Sequence, residues 1–237
     1  MDSDVLEFWA LRSHIVTGTV VLIMGIVALV SRKGGHWHRH CGTVYVYFMS
    51  LVCLSAVVVA IEEDEPFLLY LAIFVFHLAF SGRRSVARKR PDQWPRATWP
   101  DWLVVSMSTA ATVGLVVQAR TAMRPDIRMI SGYFAALNGF IVAADVYEFL
   151  YVPPLPRPWW FMHMMKMVGS FIGAITAVVV VQVSGLPFLV RYIGPPLILV
   201  PLLVVWMAYY FVRFRRASAP RLGAAPMRAP AASAPRA

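Results

Sequence analysis

Asp145 and Glu148 close one apolar run of this sequence, and His163 and Lys166 open the next. His77 sits inside a third run, and His36, His38 and His40 lead into a fourth. Carboxylates and imidazoles are the side chains that hold transition metals, and two facing imidazoles can ligate haem iron. The first pair to consider for haem b is His77 with His163. The wider candidate metal set is His14, His38, Asp145, Glu148 and His163. The cluster Met162-His163-Met164-Met165-Lys166-Met167 adds copper, because thioethers suit Cu(I). Successive helical residues point to different faces, however, and methionine is also an ordinary apolar filler.

The same residues allow a reading without chemistry. The two runs flank the turn Pro153-Pro154-Leu155-Pro156-Arg157-Pro158. An antiparallel hairpin symmetrical about that turn sets Glu148 opposite His163 and Asp145 opposite Lys166. Their depths match, at roughly 5 and 9 Å below the helix ends by the helical rise. Two such ion pairs would neutralise charges that are expensive in lipid, and they need no ligand. A third reading is proton- or ion-coupled transport, since buried ionisable groups often mark an ion path. Against it stand an apolar bundle centre and the lack of two halves with matching broken helices.

The elements that position these residues are apolar runs of about 18–25 residues, long enough to cross a bilayer. The chain has 237 residues, of which 59% are hydrophobic and only 14% charged, against about 25% charged in a soluble domain. Runs such as Leu189–Val205 lack the alternation of a barrel strand, so the fold class is all-α: a polytopic transmembrane helix bundle. Seven spans are predicted, at about Phe8–Val30, Gly42–Ile61, Pro66–Gly82, Asp101–Arg120, Ile130–Tyr151, Trp160–Ser184 and Tyr192–Phe214. Residues 1–216 form a single transmembrane helical domain. Residues 217–237, rich in Ala, Pro and Arg, read as a disordered basic tail. Asp2, Asp4 and Glu7 stand where a signal peptide carries basic residues, so the first run is expected to be retained.

Loops one, three and five, the tail and Lys166 hold 17 of the 22 Lys and Arg residues. The acidic turn Glu62-Glu63-Asp64-Glu65 lies on the other side. The positive-inside rule puts the N-terminus outside and the C-terminus in the cytoplasm. The net charge of +10 is then a topology signal and a means of contact with anionic headgroups in the bilayer. No nucleic-acid partner is expected, because the basic residues flank spans and do not cover a folded basic domain. Trp94, Trp99, Trp102, Trp159 and Trp160 suit an interfacial belt. Cys41 and Cys53, about 18 Å apart on one helix, cannot bridge each other. Cys41 is expected to be a reduced thiol facing the cytoplasm, and Cys53 a buried small side chain.

Helical spacing gathers the unusual residues onto single faces. Asn138, Asp145 and Glu148 align on helix five, and His163, Lys166, Ser170 and Gly173 on helix six. Tyr70, His77 and Ser81 align on helix three, His38, Gly42, Tyr45 and Met49 on helix two, and His14, Gly18 and Gly25 on helix one. Polar and small residues sharing a face mark where helices meet each other and not lipid. Gly169 and Gly173 serve helix contacts within the chain, with a homodimer as the alternative use. All the histidines except His14 crowd the end of the bundle that holds loops one, three and five.

His14 with Gly18, Lys33-Gly34, His38-Arg39, Gly42, Tyr45, Met49, Ser81-Gly82-Arg83, His163 and Gly169-Ser170 form a pattern. It resembles a family of uncharacterised bacterial multi-pass membrane proteins over about Ser13–Phe214. The resemblance implies a small helical protein of the bacterial cytoplasmic membrane and no established reaction. It favours His14, His38 and His163 over His36 and His40 as residues to test, and it does not extend to Asp145 and Glu148.

The charge asymmetry makes a direct prediction. Alkaline phosphatase fused after Arg216 will be inactive and green fluorescent protein fused there will fluoresce. Phosphatase fused in the Glu62–Glu65 turn will be active. The reverse pattern would invert the topology.

Overall fold

The computed structural model describes residues 3–90 and 96–218. Among them the chain is helical and without strands: α1 (Ser3–Val30), α2 (His36–Glu62), α3 (Pro66–Ser85), α4 (Trp99–Thr121), α5 (Pro125–Leu150), α6 (Pro158–Gln182) and α7 (Phe188–Ser218). A single 3-10 turn, Val86–Arg88, continues α3. All seven helices are long and apolar enough to cross a membrane. The chain is therefore an integral membrane protein of the multi-pass helical kind.

Proline stands in the first turn of α3, α4, α5 and α6, where its missing N–H costs nothing. Four helices begin at least four residues earlier than hydropathy predicts, the first of them α1, at Ser3 and not Phe8. α2 starts at His36 and not Gly42, after Gly34 at φ 75° turns the chain. α5 starts at Pro125 and not Ile130, and α7 at Phe188 and not Tyr192. Backbone hydrogen bonding continues into the interfacial layer after the side chains have become polar, so an apolar boundary is not a helix boundary. Pro195, Pro196 and Pro201 consequently lie inside α7 and do not start it. Ala217 and Ser218 end α7, while the rest of the expected tail and Trp94 lie outside the described residues.

α3 is the hub. It packs against α2, α4, α5 and α6, while α1 pairs with α2, α4 with α5, and α6 with α7. The expected α5–α6 hairpin does not close: no Cα of α5 comes within 8 Å of one in α6. The proline-rich turn carries the chain past α3, and an almost wholly apolar cavity of about 520 Å³ separates α5 from α6 and α7. Small residues let α6 approach its neighbours. A Cβ on Gly173 would stand 2.9 Å from Val75 Cγ2, and one on Gly169 would stand 3.6 Å from Leu78. The glycines considered for homodimer contact therefore face α3 of their own chain. Gly82 in turn lies against α6, where a Cβ would be 3.1 Å from Lys166 Cβ.

Cys41 and Cys53 are free and both buried. Starting α2 at His36 carries Cys41 onto the packed face, which corrects the expectation of a thiol facing solvent. On α1, Gly25 is pressed by the Phe171 ring at 2.4 Å from a built Cβ, whereas Gly18 meets nothing within 4 Å. Gly25→Leu is expected to cost about 1–3 kcal/mol through overpacking, read as a lower melting temperature in detergent, while Gly18→Leu leaves the melting temperature within error.

Candidate functional site

Two polar systems occupy the bundle. The first is a buried network on the α3 face that carries His77, Ser81, Ser85 and Arg88, positions 4, 4 and 3 apart. His77, Asp145 and Lys166 are fully buried, and Glu148 nearly so. Lys166 Nζ donates to Asp145 Oδ1, to Glu148 Oε2 at 3.1 Å and to Ser81 Oγ at 3.0 Å. Ser81 Oγ donates to Asp145 Oδ2 at 2.6 Å. Arg88 reaches Glu148 Oε1 at 3.2 Å and Asp101 Oδ1 at 3.1 Å. Asp101 also receives Arg84 at 2.7 and 2.9 Å and closes the capping box of α4 with Thr98.

The far end of this network fixes protons. Asn138 Nδ2 donates to the Ser108 carbonyl at 3.1 Å, so its Oδ1 accepts the Ser108 hydroxyl proton at 2.7 Å. Ser108 Oγ has one proton and can only accept from His77 Nδ1, at 2.8 Å. His77 Nε2 meets Asp145 Oδ2 at 2.7 Å. His77 and Asp145 together thus hold one proton more than a neutral imidazole beside a carboxylate. With the half-exposed rim residue Arg84 set aside, three carboxylates face Lys166, Arg88 and that proton. The buried charge balances without a ligand.

This geometry revises the site expected from sequence. Asp145 does meet Lys166 directly, with Ser81 of α3 bonded to both, although α5 and α6 form no packed hairpin. Glu148 pairs with Arg88 and Lys166, and His163 does not face it: His163 Nδ1 bonds to the Gly82 carbonyl at 2.8 Å. Both nitrogens of His77 are engaged within the chain, by Ser108 and Asp145, and His77 does not line the cavity that His163 lines, so the structure does not bring the expected haem pair together. His14 is far along α1, where Nδ1 meets Val52 O and Ser55 Oγ, each at 3.1 Å. The five-residue metal set therefore does not converge. Among the described residues no group of three or more His, Cys, Asp or Glu is placed to hold a metal ion. Nor does the network cross the bundle. Beyond Asn138 the next polar pair, Ser131 with Gln118, lies about 10 Å along α5.

The second system is a cavity of about 420 Å³ bounded by the ends of α1 and α2, by α3 and by α6, with Trp206 of α7 at its side. His38 and His163 line it with ring centroids 6.3 Å apart and planes at 82°. His38 Nδ1 bonds to the Ala28 carbonyl at 3.0 Å, as His163 Nδ1 does to Gly82. A carbonyl only accepts, so each Nδ1 carries a proton, and the lone pair that a neutral ring offers a ligand lies on Nε2. Gly42 has nothing within 4 Å of a built Cβ and so leaves the cavity open. Tyr45 forms part of the wall, held by a buried 2.8 Å hydrogen bond to Ser170. Lys33 caps α1 through the Ala28 and Leu29 carbonyls, and burial pulls its ammonium below the ordinary lysine range.

Arg88, Asp101 and Ser108 were missed by the sequence reading. Arg88 counted only as topology charge, although its spacing from His77 and Ser81 puts it on the same face. Thr98-x-x-Asp101 is a recognisable capping box, but nothing local says that its carboxylate also receives two arginines. Comparison with known proteins adds no constraint: no protein-family model, curated protein or solved structure matches this chain.

Removing one partner from the network should expose its balance. Lys166→Met is expected to cost about 3–5 kcal/mol, because it leaves Asp145 and Glu148 without their shared cation. Adding Asp145→Asn should recover part of that loss. A double-mutant cycle on melting temperature measures the coupling, and zero coupling would contradict the geometry.

Proposed function

We propose that this integral membrane protein binds haem b in the end cavity, with His38 and His163 as the axial imidazoles. The observation that carries the reading is the matched state of the two rings. Both donate Nδ1–H to a backbone carbonyl, and both keep Nε2 for a ligand at the same cavity. A carbonyl on the far nitrogen is the usual orienting partner of a metal-bound histidine, and it raises the basicity of the ligating nitrogen.

The number of donors favours haem over a bare ion. Structural zinc takes four protein ligands and catalytic zinc three, and no such group is present among the described residues. Haem brings four equatorial nitrogens of its own, so two imidazoles suffice. Leu29, Met164, Met167 and Phe171 offer apolar walls to a macrocycle. The buried His77–Asp145–Lys166 network is assigned a structural role, since its charges already pair. The charge asymmetry of the loops supports a cytoplasmic position for the cavity in a bacterial cytoplasmic membrane, as does the resemblance of the His38 and His163 motifs.

Protein purified in mild detergent after expression with ample haem should show a Soret band. His38→Ala and His163→Ala should each abolish or shift it, whereas His36→Ala should leave it unchanged. Stoichiometric iron, copper or zinc without the band would move the reading to a bare metal. The absence of both the band and the metal would overturn it.

A further inference from the structure

The same cavity carries a second signal that does not depend on its imidazoles. Lys33, Arg39, Arg83 and Lys89 line it, and among the described residues no carboxylate does. Elsewhere the chain handles buried charge differently: Lys166 and Arg88 each contact two carboxylates. Two of the four cavity cations have internal employment. Lys33 caps α1, and Lys89 Nζ lies 4.7 Å from the centre of the Trp159 ring. Arg39 on α2 and Arg83 on α3 are exposed at the mouth, and neither guanidinium makes a hydrogen bond, ion pair or ring contact among the described residues.

A guanidinium presents a planar fork of donors that matches a carboxylate or phosphate group. Two such forks stand on different helices over an apolar floor that includes Leu29, Met167 and Phe171. We infer that Arg39 and Arg83 recognise the anionic oxygens of an amphiphile whose apolar body enters the cavity. This rests on the cavity being a ligand site, as proposed above, and it names the ligand's class: an apolar body bearing carboxylate or phosphate groups. A dicarboxylate porphyrin has that chemistry. An anionic lipid headgroup presents the same oxygens from another source.

Metal-free protoporphyrin IX separates this recognition from iron ligation, because it keeps both carboxylates and has no metal for the histidines. The probe is titrated into the full chain in phosphatidylcholine nanodiscs and followed by its fluorescence, with the dimethyl ester as the uncharged control. The ester is expected to bind at least tenfold more weakly. The Arg39→Gln/Arg83→Gln variant, checked for an unchanged melting temperature, should lose about tenfold or more for the acid and nothing for the ester. Displacement of the porphyrin by phosphatidylglycerol in wild type but not in the variant would support the same site with lipid as its source. Equal binding of acid and ester, or an unaffected arginine variant, would overturn the inference. Haem is then added separately. Loss of the Soret response with acid-selective binding intact defeats the haem reading alone, and a normal Soret response with no arginine dependence defeats the anion reading alone.

Discussion

A lysine ammonium with no access to water organises the centre of this bundle. Lys166 can remain charged there only if anions and hydroxyls surround it, and α6 supplies none of them. Asp145 and Glu148 come from α5, and Ser81 and Ser85 from α3. The charge therefore ties three helices together at one depth, although α5 and α6 do not pack. Misplacing any of the three would strand a charge in a low-dielectric interior. Gly82 makes the arrangement possible by letting α6 lie close enough for the lysine stem to run along α3. The carbonyl of that same residue orients His163.

The two polar systems follow opposite rules. The buried network is closed: its carboxylates, cations and shared proton balance, and its hydroxyls have assigned donors and acceptors. Such a set holds helices in register. The end cavity is open: His38, His163, Arg39 and Arg83 line a space with no carboxylate in its walls among the described residues. Unspent donors and acceptors beside a cavity are where a ligand adds interactions that the chain lacks. The two systems touch through Gly82 and Lys166, so the rigid network also serves as a support for one wall of the cavity.

Much of this was readable from residue spacing. The 3, 4 and 7 periodicities placed Asp145 and Glu148 on one face, and Lys166 and His163 on another, and those faces do turn inward. What spacing could not say is which inward residues meet. Glu148 and His163 match in depth about the proline turn, but their helices do not pack together, and each finds a nearer partner in Arg88 and Gly82. His77 looked like a ligand because it is an imidazole inside a span. Its neighbours on α4 and α5, Ser108 and Asp145, take both nitrogens, and nothing in its own segment announces them. His38 was a metal candidate on the helix-two face, before the first residue of the predicted span. Starting α2 at His36 keeps it on the face of Gly42, Tyr45 and Met49, aims Nδ1 at the end of α1 and brings the ring beside His163.

The sequence alone determined the solvent of this protein and its seven helices. A lipid interior satisfies no backbone group, so runs of this length and hydropathy must form helices whatever their neighbours are. Tertiary structure decided the partners, because hydrogen bonds and ion pairs act over about 3 Å, and side chains at one depth meet only if their helices are adjacent. By packing α6 on α3 and leaving α5 and α6 unpacked against each other, the fold turned an expected pair of hairpin salt bridges into one shared network. It also left His38 and His163, from helices 125 residues apart in sequence, as the rings that face an open cavity.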